Sequence, residues 1–394
     1  GNITKMTGND MVIETNVAGN VYGAYTDADG ITVEMNTVTV KNGATVTGDV
    51  AGGFISHDGN ANDNTVTLYN VTNTTSSPVI GGRVDSGNVN ANAVTVYGGS
   101  LGGVIMGGYA YTNGNANGNT VIINGTDVDL DVYGGLVGGT IHDPRGNANR
   151  NSVTIENGAR VGGDVNGGLI DHDGGANDNT VTIDGATLTS DVAGGFIGRD
   201  GNANGNVVKL NGAAADSSNV FGGYVNRGGE ANRNAVTVYG GSMGTIIGGG
   251  VYSAAGNANG NTVTTDGARV VHNVYGGFIG LEGNANDNTV TIDRSTVGGD
   301  VFGAYIKGVA SMATNNRIIL ASGSVVGGSV GIYNSDSSPN VSNNWLIVQG
   351  KGNTARQVVS IDRYRFVVDD TVGSHDAMLS LTGTRQRRHR PDGS

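Results

Sequence analysis

The side chains best suited to chemistry are concentrated between positions 131 and 191. Asp131, Asp164 and Asp191 hold the same place in three successive copies of a short motif, Asp-Val-x-Gly-Gly. If those copies stack as neighbouring strands, the carboxylates come about 5 Å apart. Like charges that close raise a pKa or recruit a cation, and Ca2+ favours oxygen ligands of this kind. The competing reading is an exposed acidic stripe at a turn. A second constellation joins His142, Asp143 and Arg145 to Asp171, His172 and Asp173, which fall at the corresponding turn one copy later. Two imidazoles among three carboxylates can hold a transition metal or move protons. The competing reading is a polar surface loop that contacts a partner. Arg199, Asp200 and Arg227 extend the same charged column. The run from Asp58 to Asn64 has the composition of a calcium loop but lacks the Glu that closes an EF-hand. No motif requires a cofactor, and Ca2+ is the one ion the acidic column admits. The Gly-Gly pairs look like phosphate loops, but no helical pattern follows them, which excludes a nucleotide site.

These residues sit on a repeat. The pattern Asn-x-Val-Thr-Ile begins at Asn9, Asn36, Asn64, Asn92, Asn119, Asn151, Asn179, Asn206, Asn234, Asn261, Asn288, Asn316 and Asn344. Every step is 27 or 28 residues except the 32 between Asn119 and Asn151, which holds the His142–Arg145 insertion. In Asn64-Thr65-Val66-Thr67-Leu68 the polarity alternates with period two, the mark of a half-buried strand. A Gly-rich turn follows each strand, and nothing in the repeat has a helical period. A parallel sheet without helices is satisfied by coiling, each strand pairing with its counterpart one repeat later. The sequence therefore predicts an all-β parallel β-solenoid of about 13 coils with roughly three sides. At about 4.8 Å per coil the rod is on the order of 60 Å long.

The composition agrees. The chain of 394 residues carries 71 Gly and 48 Asn but four Pro and no Cys. Collagen needs Pro and a three-residue Gly period, and thiolate metal sites and disulfides need Cys. Stacking would turn the leading Asn residues into a ladder of buried amides bonded up and down the rod. Gly is expected where the chain turns a corner with positive φ. Tyr25, Phe54, Tyr109, Phe196, Tyr224, Phe278, Tyr305 and Tyr333 form an aromatic column. Pointing inward it would fill a corner, the expectation favoured here; pointing outward it would offer rings to sugars. Thr pairs such as Thr65/Thr67 and Thr289/Thr291 make a hydroxyl array that an ice-binding surface would use, although Ala93, Ile122 and Lys209 interrupt it.

Three segments follow. Residues 1–354 form the solenoid. Residues 355–384 leave the repeat and are expected to make a C-terminal β cap, a terminal sheet or hairpin with Trp345 beneath it, because an open last coil exposes core and strand edge. Residues 385–394, rich in Arg, are expected to be a disordered tail. The formal charge of −12 argues against nucleic acid as a partner, since binding it needs a basic face.

Two features resemble the passenger of a bacterial autotransporter, the type V secretion family. One is the repeat Asp-Val-Tyr-Gly-Gly with Gly-Asn-Ala-x-x-Asn-Thr-Val-Thr-Ile over residues 1–350. The other is Ile361-Asp362-Arg363-Tyr364-Arg365-Phe366 leading to Ala377-Met378-Leu379-Ser380-Leu381-Thr382, similar to the segment that precedes the translocating barrel. The resemblance implies a right-handed coil, export, display outside the cell or on a bacterial outer membrane, and commonly adhesion. The family's barrel would have to lie outside these 394 residues, and membrane contact is expected only through it. The leading expectation is a non-enzymatic adhesin or stalk that binds a glycan or protein on a host or bacterial surface. The alternatives are a self-associating extracellular fibre or matrix protein, a polysaccharide-acting β-helix enzyme, and an ice-binding solenoid. Ligand contacts are expected at the repeat's breaks: His142, Asp143, Arg145, Asp171, His172 and Asp173.

Overall fold

A computed structural model describes residues 4–41, 43–139, 143–308, 311–335 and 340–383. The chain is all-β, with no helix among the described residues, and coils about thirteen times into a parallel β-solenoid. One coil shows the plan. Thr180–Asp184 lies on a face led by the ladder Asn, Thr187–Leu188 on a short face, and Val192–Ile197 with Gly201–Asn202 on a long, kinked face. Val207–Asn211 then begins the next coil directly beside Thr180–Asp184. The Asn-led sheet has 14 strands, the short one 12 and the kinked one 22, so the predicted three-sided coil is the one that forms.

The alternation on the Asn-led face is the expected one. Val181 and Ile183 are fully buried while Thr180 and Thr182 face outward. The kinked face does something the repeat alone did not reveal. In Val192–Ile197 the chain runs Val-Ala-Gly-Gly-Phe-Ile, and both Val192 and Ile197 point inward, but into different cores. Between them the two glycines press against the Asn ladder. A Cβ on Gly194 would meet the Gly222 carbonyl oxygen at 2.6 Å and the Asn206 Cβ at 2.7 Å; one on Gly195 would meet the Ala176 oxygen at 2.2 Å. The rod therefore has a waist. On one side is a Val/Ile/Leu core built from Val181, Ile183, Val192 and their counterparts; on the other is a smaller core of Ile197, Ala203 and theirs.

The expectation that Gly marks corners holds at the turn after the Asn-led strand, where Gly98, Gly125, Gly185, Gly212, Gly240 and Gly267 have positive φ. The Gly-Gly pairs are needed for close approach. The most regular corner with positive φ is the residue just before each ladder Asn, and most coils place a side chain there, among them Asp63, Arg150, Asp178 and Arg233. The stack holds these residues left-handed against a penalty of roughly 1–2 kcal/mol each. One device is visible at Asp178, whose N–H donates to the Asn204 carbonyl of the next coil.

The ladder sits at the waist. From Asn36 to Asn344 the leading Asn residues are buried. Each uses its Oδ1 to accept both the backbone N–H and the Nδ2 of the preceding Asn, as Asn206 does for Asn179 at 2.9 and 3.0 Å. Several amides also donate to main-chain carbonyls across the waist, Asn92 to Ala61 and Asn316 to Ala285. An outer row of amides runs in the opposite sense. Asn62 accepts the N–H of Asn90, Asn177 that of Asn204, and so on to Asn286 and Thr314.

Residues 355–383 do not make a separate hairpin. Arg363–Val367 adds a parallel strand beside Trp345–Gln349, and Leu379–Leu381 adds one beside Asn353–Ala355. Asp362 takes the ladder position and accepts the Asn344 N–H at 2.8 Å, so the file of donors ends on a carboxylate. Ile361, Met378 and Leu379 pack on the larger core. Tyr364 and Phe366, in register with buried Leu346 and Val348, are each 52% exposed, so this last turn covers the core only in part. The tail 385–394 lies outside the described residues.

Candidate functional site

The acidic column forms, and the backbone uses it. Asp131 Oδ1 accepts the N–H of Asp164 at 2.7 Å, Asp164 Oδ1 that of Asp191 at 3.1 Å, and Asp191 Oδ1 that of Asn219 at 2.7 Å. The Tyr133 hydroxyl donates to the second oxygen of Asp131 at 2.8 Å, and Ser190 bonds Asp164. The amides that replace Asp in other coils do the same, Asn20 for Asp49 and Asn273 for Asp300. Carboxylate and amide are interchangeable because each offers an oxygen to the next coil. Asp131, Asp164 and Asp191 thus act as links between coils, and among the described residues no group of three His, Asp or Glu side chains converges.

At the long repeat His142 lies outside the described residues. Asp143, His172 and a residue from one coil further, Arg199, do come together. Asp143 Oδ1 is 3.2 Å from His172 Nδ1 and 3.3 Å from Arg199 Nη1, and Arg199 Nη1 is 2.9 Å from His172 Nδ1. Asp143 is largely in water, so the trio is a screened surface cluster whose stabilising effect is small. Arg145 and Asp173 are strand partners in the same place on adjacent coils, and Asp173 accepts the Asp200 N–H at 3.2 Å. Asp171 reaches water, but packing of its carboxyl near Gly138 pushes its pKa up by burial, with His172 opposing. The charged column is therefore real, and its members serve as links between turns.

The aromatic column is neither of the two arrangements expected from sequence. Because the Gly-Gly kink turns the strand, side chains one place before and one place after it converge on the outside of the waist, as Tyr275 and Phe278 do at 6.0 Å. The rings line an outer groove and belong to neither core. Phe196, Tyr224, Tyr252, Phe278, Tyr305 and Tyr333 stack continuously, with successive centroids 4.5, 4.5, 4.6, 5.3 and 4.5 Å apart. Each ring face is covered by the next ring, so edges rather than faces meet the solvent, which disfavours stacking on sugars along the row. Two members escaped the sequence reading. Tyr252 bends back over Gly250, filling the gap that glycine leaves. Arg83 stands in the column between Phe54 and Tyr109, its guanidinium 4.5 and 5.6 Å from their centroids. Burial pushes the Tyr109 hydroxyl up to about 12, with Arg83 opposing.

The flat outer side of the Asn-led sheet changes character near its end. Thr pairs run along it as far as Thr289 and Thr291; the next three strands carry Arg317 and Ile319, Trp345 and Ile347, then Arg363 and Arg365. Trp345 is on this outer side and not beneath a cap, with the Arg363 guanidinium 5.3 Å from its ring centroid. The signal was present in the sequence as a loss of Thr at outward positions from Arg317 onward.

Comparison with known proteins found no matching family model, no similar curated protein and no similar solved structure.

Proposed function

We propose that this chain is a non-catalytic adhesive stalk displayed outside a bacterial cell, of the autotransporter-passenger kind that its repeat resembles. The observation that carries this reading is the way the stack engages its repeated polar groups. The Asn ladder, the outer amides and the Asp column are joined to backbone N–H groups of adjacent coils. Groups so engaged serve stiffness. A stiff rod supplies reach, and contact falls to the places where the repeat departs from its pattern: the Asp143–His172–Arg199 cluster and the Trp345 surface. The ligand is then a glycan or protein on another cell, with no cofactor. The test is flow-cytometric binding of labelled rod to cultured animal and bacterial cells. Saturable binding that weakens in His172→Ala/Arg199→Ala or Trp345→Ala supports the reading. Absence of saturable binding to every cell type overturns it.

Half-exposed Tyr364 and Phe366 favour a second reading, a self-associating fibre. They hold inward positions of the last turn, and the same positions of the first Asn-led strand are Met11 and Ile13. A second copy's first coil would continue both core and sheet. Analytical ultracentrifugation decides it: growth with concentration that is lost in Phe366→Lys supports the fibre, and a monomer at all concentrations overturns it.

A further inference from the structure

We infer that the outer surface around Trp345 binds an acidic polysaccharide, a chain of pyranose rings bearing carboxylate or sulfate groups. This rests on the adhesive reading and names the ligand class for one part of the rod. Three observations carry it.

The first is charge. Arg317, Arg363 and Arg365 lie on one face of three adjacent strands of a chain whose net charge is −12. None of the three forms an ion pair among the described residues, whereas Arg199, Arg227, Arg269 and Arg294 each pair with an Asp. Unpaired guanidinium groups are ready for the bidentate hydrogen bonds that carboxylate and sulfate oxygens accept.

The second is the ring. Trp345 is the only Trp in the chain. Unlike the groove aromatics it stacks on no other ring among the described residues; its partner is Arg363. An indole with a guanidinium beside it gives the C–H face of a sugar an apolar seat and its acid group a cation, and Trp and Arg are the side chains that most often dominate binding energy.

The third is shape. Two shallow recesses flank the ring. One is lined by Arg317, Ile319, Ile347 and Arg365; the other by Asp287, Asn315, Arg317 and Asn343. The Trp345 strand separates the two Arg-bearing strands, so the Arg rows stand about 10 Å apart across the sheet, and Arg363 and Arg365 stand about 7 Å apart along one strand. A flat, ridged, cationic strip of this kind fits an extended polymer better than a compact solute. Among the described residues, Asp287 is the only carboxylate that lines the two recesses.

The test uses the emission of Trp345, which reports this surface alone. The 394-residue protein is titrated with heparin, polygalacturonate, neutral dextran and poly-L-glutamate at low salt. The expected result is a saturable shift with heparin or polygalacturonate, none with dextran, and at least about tenfold weaker binding of polyglutamate. The two acidic polymers separate sulfate from carboxylate preference. Calorimetry with Arg317→Ala/Arg365→Ala should show affinity falling about tenfold or more, with an unchanged melting temperature, since both side chains are solvent-facing. No response to either acidic polysaccharide, or polyglutamate binding as tightly as they do, overturns the inference. If acidic polysaccharide binds but no cell does, the site stands and the adhesive reading fails. If cells bind equally well without Arg317 and Arg365, the reverse holds.

Discussion

Two columns of like residues run the length of the rod, separated by little more than the thickness of the Gly-Gly backbone. Inside the waist is the Asn ladder; outside it is the aromatic row. The inner column has the same residue in every repeat from Asn9 to Asn344. The outer one admits Arg83, Leu136, Leu169 and Gly250 among its rings. The difference follows from what each must satisfy. A buried amide left without a partner costs about 1–3 kcal/mol, and each Asn serves two neighbours, so one substitution harms both. A ring in a half-open groove asks only for contact, which another apolar group, a cation or a tyrosine from two places on can supply. Strict repetition thus marks directional bonding, and loose repetition marks packing.

The sharpest way to break the contrast is Asn206→Leu. It keeps the volume but removes the acceptor for the Asn179 N–H and Nδ2. The expected loss is about 3 kcal/mol or more by urea denaturation; an unchanged midpoint would deny the ladder its role. Gly195→Ala tests the wall between the columns. Its methyl meets a carbonyl oxygen at 2.2 Å, and the expected cost is about 2 kcal/mol by the same measurement. Ala24 and Ala304 occupy this register in coils nearer the ends, so the equivalent change is absorbed where the stack can relax. Tyr252→Ala removes one ring from a six-ring row and should cost about 1–2 kcal/mol. A loss as large as that of Asn206→Leu would erase the distinction between bonding and packing.

The smallest effect is electrostatic. The pKa of Asp171 is raised in the folded chain by burial. A raised carboxyl binds its proton more tightly when folded, so its contribution is present below the ordinary carboxylate range. It is lost as pH rises through the folded value. Asp171→Asn should flatten that slope in melting temperature against pH; an identical slope in the variant would assign it elsewhere. Asp164→Asn should shift the midpoint by less than about 0.5 kcal/mol, since an amide oxygen accepts the Asp191 N–H as well.

Much of this was legible before the structure. The 27–28-residue step fixed the coil, the Asn column and the inward Val and Ile positions, because identical spacing forces identical stacking. The direction of the aromatics was not legible. Alternation predicts side chains only along an unkinked strand, and the kink depends on a contact between Gly194 or Gly195 and Asn206 in a different strand. Asp362 was missed as a ladder member because it follows Asn344 by 18 residues, outside the period. The link from His172 to Arg199 crosses one coil and that from Asp143 to Arg199 crosses two, so neither is visible in any single repeat.

The opposed sense of the two amide rows has an electrical consequence. In the buried row each Oδ1 points back toward the N-terminal coil; in the outer row each points on toward the C-terminal one. Their dipoles lie antiparallel and oppose one another, as in two helices packed head to foot. A single row would gather partial charge at the rod's ends with every added turn, as a helix does. With opposed rows, each inserted coil adds less to the axial field than a single row would, so rod length can vary by whole repeats with less charge gathered at its ends.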